Sequence, residues 1–301
     1  MTDLTDPIQL AILALAAALM NGAVGYGFSS IITPIAILWY SNKVLNPALV
    51  VVELAVNVAL LLRERRFIRA TWPSAKPVVA TLLPGVVLGT IGLTVLAVND
   101  VKLVVYATLF PLVLLQLWGF SRPIRNHSRA GGVVGPGIGF LYALTTISGP
   151  PLALFLRNQG LSKDEFRCTI AQVRLAESSL TLATYSLFSV FFSANLVSVP
   201  AISLLPYLFV PVLIGVPVGT LFLAKVSPEF FRRFVMAVDG GIVSYGLARV
   251  LAQLGMLSAT TSYVVMGLLG LVVAVVAWAS LRALAEASGH SEATNLGEPE
   301  G

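Results

Sequence analysis

Apolar runs long enough to cross a bilayer recur along the sequence, at residues 45–62, 77–98, 101–119, 166–192, 201–224, 230–254 and 262–284. A crossing helix needs about 20 mostly apolar residues, so these runs leave no room for a sizeable soluble domain between them. Hydrophobic residues make up 57% of the chain, charged residues 11%, and the mean hydropathy is +0.89, whereas soluble proteins carry roughly a quarter charged residues. In lipid every backbone amide must be satisfied internally. The chain therefore reads as an all-α polytopic membrane protein.

Two further apolar stretches, 7–40 and 131–158, are interrupted by small residues. The first breaks at Asn21-Gly22-Ala23-Val24-Gly25-Tyr26-Gly27-Phe28-Ser29-Ser30 and the second at Thr145-Thr146-Ile147-Ser148-Gly149-Pro150-Pro151. Matching interruptions in two halves of a membrane protein point to a transport site.

The start of the chain carries Asp3 and Asp6 and no basic region ahead of its first apolar run, so that run is expected to remain in the mature protein. Cys168 is the only cysteine, which excludes an internal disulfide and a thiolate cluster. His127 and His290 fall in an expected loop and in the tail. Residues 285–301 are acidic and rich in small polar residues, and read as disordered.

Basic residues mark the cytoplasmic side. Fifteen of the 19 Lys and Arg fall in four loops and at the last helix end: Arg63, Arg65, Arg66, Arg69 and Lys76; Arg122, Arg125 and Arg129; Arg157, Lys163 and Arg167; Lys225, Arg232 and Arg233; and Arg282. Two of these loops flank 131–158, so that stretch enters and returns as a re-entrant hairpin from the cytoplasm. Its arms of about 14 residues reach only about 21 Å, short of a core of about 30 Å. By the same logic 7–40 enters and returns from outside, which puts the N-terminus outside and the C-terminus in the cytoplasm.

Each half then consists of a hairpin and three crossing helices, and the odd number of crossings inverts the second half. The expected units are 1–122 and 131–254, followed by an additional helix at 262–284. A shift of 121 positions lays Val52-Glu53-Leu54-Ala55 on Val173-Arg174-Leu175-Ala176, and residues 85–90 (GVVLGT) match 215–220 (GVPVGT). Small residues four apart read as close helix packing.

Unwound backbone at membrane depth leaves polar groups that need partners. The returning arms are expected to start near Ser29, a good N-cap, and Pro150, a good first-turn residue. Their N-termini would then face the membrane middle, each with up to about four free N–H groups and about half a positive charge, a setting for a small oxyanion. Gly25, Gly27 and Gly149 let a ligand approach the backbone, with Phe28, Ser29, Ser148 and Pro150 beside them.

The ionisable residues expected to be buried are Glu53, Arg174, Glu177 and Asp239. Arg174 is the candidate fixed charge for the anion, and Glu53 and Glu177 are candidates for exchanging a proton. Arg174 and Glu177, three apart on one helix face, also read as a structural ion pair. Asp239, before Gly240-Gly241, reads as marking a helix irregularity. Gln172, Asn57 and Asn21 are candidate polar lining.

At these residues the chain resembles the sulfite exporter (TauE/SafE) family of membrane permeases over about residues 8–252. The family's G-x-G-G-G followed by P corresponds to Gly25-Tyr26-Gly27-Phe28-Ser29 and Pro34. Its G-x-G-G-P-P corresponds to Thr146-Ile147-Ser148-Gly149-Pro150-Pro151, and Leu161-Ser162-Lys163-Asp164-Glu165-Phe166-Arg167 looks like its second repeat. Phe28, Ser29 and Thr146 replace glycines, which implies a narrower or more polar pocket. The resemblance implies ion-coupled movement of sulfite or organosulfonates across the bacterial cytoplasmic membrane.

The residues themselves reach a secondary transporter for a small anion, with a coupling proton and the bilayer as partners, no cofactor or metal, and no sign of nucleic-acid binding. A passive anion channel would share the same site. A membrane-embedded enzyme is the third reading, but no His-Glu metal motif, second cysteine or nucleotide-binding loop is present in the sequence.

Overall fold

The computed structural model describes residues 5–118, 127–156, 159–222 and 228–295, and every regular element among them is a helix. The first half contains α1 (Thr5–Val24), α2 (Phe28–Ala36), α3 (Asn42–Arg63), a 3-10 turn (Arg65–Phe67), α4 (Ile68–Val79), α5 (Leu82–Val95) and α6 (Val98–Trp118). The second contains α7 (His127–Thr145), α8 (Gly149–Leu156), α9 (Lys163–Phe191), α10 (Val199–Ser203), α11 (Leu205–Phe222) and α12 (Pro228–Gln253), followed by α13 (Ala259–Asn295). Arg122, Arg125, Arg157, Asn158 and Lys225, and residues 296–301 of the expected tail, lie outside the described residues.

Four helices among the described residues are long and apolar enough to cross a membrane, and a fifth crossing results if the 52° bent pair 65–79 and 82–95 counts as one. Residues 63–76, expected as a loop, instead enter a helix and bend near Ala80-Thr81. The 166–192 run is long enough as α9 yet is not among those apolar spans. It packs against α3, α4, α5, α7 and α8, so its charged residues are covered by protein. In contrast, α13 exposes Leu268, Leu271, Val275 and Trp278, as a lipid-facing helix does.

Three boundaries differ from expectation. The breaks are only three residues each, Gly25-Tyr26-Gly27 and Thr146-Ile147-Ser148, because Asn21, Gly22 and Thr145 stay helical. The hairpin arms are therefore unequal: 20 and 9 residues in the first, 19 and 8 in the second. The long arms reach about 30 Å and the short ones about 12–14 Å at 1.5 Å per residue, not two arms of equal length. The last helix continues beyond residue 284 to Asn295, because Arg282-Ala283-Leu284-Ala285-Glu286-Ala287 is built of strong helix formers. His127 opens α7 and His290 falls in that extension, so neither lies in a loop.

Glycine sets the tightest contacts. A Cβ built on Gly85 would lie 1.9 Å from the Pro136 carbonyl oxygen, and one on Gly89 would lie 2.5 Å from that of Phe140. In the other half, Gly219 meets the Leu19 carbonyl oxygen at 2.1 Å and Gly215 that of Leu15 at 3.1 Å. The two GxxxG segments thus let each long arm run alongside the matching helix of the opposite half, α7 on α5 and α1 on α11. Some neighbours recur when the halves are exchanged element by element, α2–α12 becoming α8–α6 while α3–α9 and α6–α12 map onto themselves, whereas the α1–α2 contact has no equal between α7 and α8.

Helices α3 and α9 run antiparallel. Glu64 lies beside Cys168, Glu53 beside Arg174, and Val51 beside Leu182. A capping box starts α9: the Glu165 N–H donates to Ser162 Oγ at 3.4 Å, and the Ser162 N–H donates to Glu165 Oε2 at 2.9 Å.

Gly219→Ala is expected to lower the melting temperature sharply or abolish folded protein, since backbone blocks the new methyl. Gly267→Ala, with nothing within 4 Å of its Cβ, should leave it unchanged. Hydrogen bonds from the Ser162 backbone and side chain hold the Glu165 carboxyl below its usual range. A depressed folded value means that the cap's contribution is complete above about pH 4.3 and is lost as pH falls through that lower value. Amide exchange in the first turn of α9, referenced to an unstructured peptide, should therefore accelerate on acidification, and Glu165→Gln should remove that dependence.

Candidate functional site

The breaks owe their shape to backbone that few residues adopt. Gly25 and Gly27 have φ of 89° and 107°, and Thr146 has φ of 62°. A β-branched residue in the left-handed region is an outlier with a strain of about 1–3 kcal/mol. Thr146 is held there by its neighbours: its N–H donates to the Tyr142 carbonyl at 2.6 Å, and its Oγ1 lies 3.0 Å from Thr33 Oγ1 in α2. That hydroxyl pair ties the second break to the first hairpin.

The breaks meet. A Cβ built on Gly149 would lie 3.3 Å from the Tyr26 ring and 3.1 Å from Arg174 Nη1, so Tyr26 of the first break rests on the start of α8. Phe28 and Ile147 share one buried apolar cluster.

The two helix starts are unequal as anion sites. In α2 the first intrahelical bond runs from the Ile31 N–H to the Gly27 carbonyl at 3.2 Å, which leaves the amides of Phe28, Ser29 and Ser30 ahead of it. In α8 the Leu152 N–H bonds the Ser148 carbonyl, and Pro150 and Pro151 carry no N–H, so the first turn offers the Gly149 amide alone. The expectation of up to four donors fails for α8. Ser29 is not the N-cap either: Gly27 holds that position with no side-chain cap, and Ser29 lies one residue inside the helix.

Side chains supply what the proline-capped turn lacks. Arg174 Nη2 donates to Glu53 Oε1 in a salt bridge whose partners are only 4% and 3% exposed. Ser29 Oγ also donates to Glu53 Oε1, and the Tyr142 hydroxyl donates to Glu53 Oε2 at 2.7 Å. The Arg174 guanidinium lies 5.9 Å from the Tyr142 ring centroid. Beside this group, Ser148 Oγ donates to Glu177 Oε2 at 2.6 Å, while Glu177 Oε1 is buried without a hydrogen-bond partner. Each hairpin thus lends a serine hydroxyl to a buried carboxylate.

Arg174 forms its salt bridge with Glu53 across the α3–α9 interface, and not with Glu177 as their spacing had allowed. Antiparallel packing brings the two pseudo-equivalent positions face to face, and a side chain on the facing helix reaches the guanidinium end-on.

The remaining expected residues divide. Gln172 turns away from the breaks and donates to the Ile68 carbonyl at 2.8 Å. Asn57 is buried along α3, Asn21 borders a cavity beside the first break, and Asp239 is buried in α12 with Oδ1 unpartnered. Among the described residues no three His, Cys, Asp or Glu side chains converge as metal ligands would.

Sequence reasoning missed Tyr142, Thr33, Asn46 and the part played by Arg167. Asn46 Nδ2 donates to the Leu144 carbonyl at 2.8 Å, and Arg167 Nη2 donates to the Gly22 carbonyl. Asn46 and Arg167 are themselves 121 residues apart, so the shift that aligned Glu53 with Arg174 already held this signal.

Removing one member of a buried ion pair strands the other charge, at about 3–5 kcal/mol. Arg174→Gln alone is expected to lower thermal stability markedly, and Glu53→Gln combined with Arg174→Gln to recover most of it, as read by melting in detergent.

A family model described as Sulfite exporter TauE/SafE matches residues 10–245. Among curated proteins and solved structures, nothing matches the chain.

Proposed function

The chain belongs to the sulfite exporter TauE/SafE family, and on that footing we propose that it is a proton-coupled secondary transporter that moves a small sulfur oxyanion, sulfite or an organosulfonate, by alternating access. The observation that carries this reading is the buried Arg174, set where the two hairpins meet and paired with a buried carboxylate on the facing helix. A fixed cation with a titratable counter-charge is what exchange between a proton and an anion requires.

The proposed cycle starts with Glu53 as an internal stand-in for substrate. A proton on Glu53 removes its attraction for Arg174. The oxyanion then replaces the carboxylate and takes hydrogen bonds from Arg174, Ser29 and Tyr142, which now surround Glu53. Backbone at Gly25, Gly27, Phe28 and Gly149 lines the approach, and the α2 helix end adds positive potential. Pro150 fixes the first turn of α8. Glu177, with Ser148, is a second proton carrier beside the same charge. Gln172 is not assigned to the site, because its amide is engaged with α4.

The antiparallel course of α3 and α9 and the exchange of partners between the halves support an inverted repeat, the architecture on which one half rocks against the other. The distribution of Lys and Arg supports an outside N-terminus and a cytoplasmic C-terminus in a bacterial inner membrane.

Purified protein in liposomes should show saturable, proton-gradient-dependent uptake of labelled sulfite or a sulfonate. The Glu53→Gln, Arg174→Gln pair should stay folded yet transport nothing, and Glu53→Gln alone should lose proton dependence. Full transport by the double variant would reduce the pair to a structural element, and non-saturating flux indifferent to protons would indicate a channel.

A further inference from the structure

Beside the first break lies a cavity of about 400 Å³ between α1, α3, α9 and α11. Its volume falls within the range of small-molecule pockets, about 300–1,000 Å³. The walls are apolar, with Val56, Leu60, Phe209, Val212 and Val216, and the polar end holds Asn21, Arg63 and Arg167. Arg63 is 58% exposed and 3.7 Å from Glu64 Oε1, so its charge is partly engaged near the surface. Arg167 is only 8% exposed; one terminal nitrogen donates to the Gly22 carbonyl, and its Nε, a buried donor, has no partner.

A buried guanidinium at the edge of an apolar cavity, with its Nε unpartnered against Gly25 beneath the cavity surface, matches a ligand that carries a negative head and an apolar body. We propose that this cavity is a second anion site, ahead of Arg174, that takes a sulfonate with a short alkyl tail, its head on Arg167 and its tail between α3 and α11. Its place on a transport route rests on the transporter reading; its binding chemistry does not.

Two features connect it to the central site. Arg167 and Arg174 lie seven residues apart on α9, two turns or about 10 Å along one face. Each rests on a glycine of a different hairpin, Gly25 in the first break and Gly149 at the start of α8: a Cβ on Gly25 would lie 2.8 Å from Arg167 Cγ, and one on Gly149 would lie 3.1 Å from Arg174 Nη1. The charge is also one-sided. Asn46 holds the matching position in the other half, with the same kind of bond to a carbonyl just before the break, but it is neutral. An anion therefore meets a buried cation before Arg174 from the Arg63 side and an amide from the other. The cavity opens outward past the exposed Ala59, Leu213 and Leu221; a short alkylsulfonate fits wholly within it, whereas a two-chain lipid would enter only in part.

The test is equilibrium binding of sulfite and of methane-, propane- and pentanesulfonate to the full chain in detergent. Wild-type affinity is expected to rise about fourfold per buried methylene. Arg167→Gln should lower alkylsulfonate affinity at least about tenfold, Ala59→Phe should fill the cavity and flatten the dependence on tail length, and the Glu53→Gln, Arg174→Gln variant should keep it. A flat dependence in the wild type, or indifference to both Arg167→Gln and Ala59→Phe, overturns the proposal even where sulfite transport succeeds. The expected pattern without any transport in liposomes upholds this site and defeats the transporter reading. A phospholipid retained in native mass spectrometry, lost in Ala59→Phe and not displaced by alkylsulfonates, would make the occupant lipid and overturn the proposal.

Discussion

A guanidinium buried within a helical membrane protein must have a counter-charge, and the arrangement around the breaks follows from how Arg174 obtains one. Its partner lies on a different helix, so α3 and α9 are held in one register, and both hairpins must come close enough to surround the pair. Ser29 from the first hairpin and Tyr142 from the long arm of the second complete the shell around Glu53. Two charges that would be costly apart become a junction between halves of the molecule.

The junction also holds a second buried carboxylate. Glu53 is paired with Arg174, and Glu177 stands nearby with one oxygen unpartnered. The rigid parts lie elsewhere, where glycine brings backbone against backbone between α5 and α7 and between α1 and α11. Those firm contacts themselves join the halves, since each long hairpin arm is held backbone to backbone on a helix of the other half.

Much of this was legible in the sequence, for different reasons at different places. The GxxxG pairs were readable as packing because small residues at helical spacing have that use in membranes, and Gly85, Gly89, Gly215 and Gly219 all meet the opposite half closely. The breaks were readable because Gly-x-Gly and Gly-Pro-Pro disfavour continued helix, although their length was overestimated: Asn21, Gly22 and Thr145 are compatible with helix and remain in it. Ser29 does not cap α2 because the helix starts one residue earlier, at Phe28, and its hydroxyl instead donates to the buried Glu53 carboxylate. α9 was read as an apolar span because a run of hydrophobic residues conceals which of its faces meets protein.

The sequence by itself determined that the chain lives in lipid, that two apolar stretches must break, and which ionisable residues enter the membrane, since hydropathy and backbone preference are local properties. Only the tertiary structure decided that Arg174 pairs with Glu53 instead of Glu177, that Tyr142 joins them, and that Arg167 borders a cavity. Those outcomes depend on the direction and register in which one helix crosses another, and residues 89 and 121 positions apart carry no local trace of it.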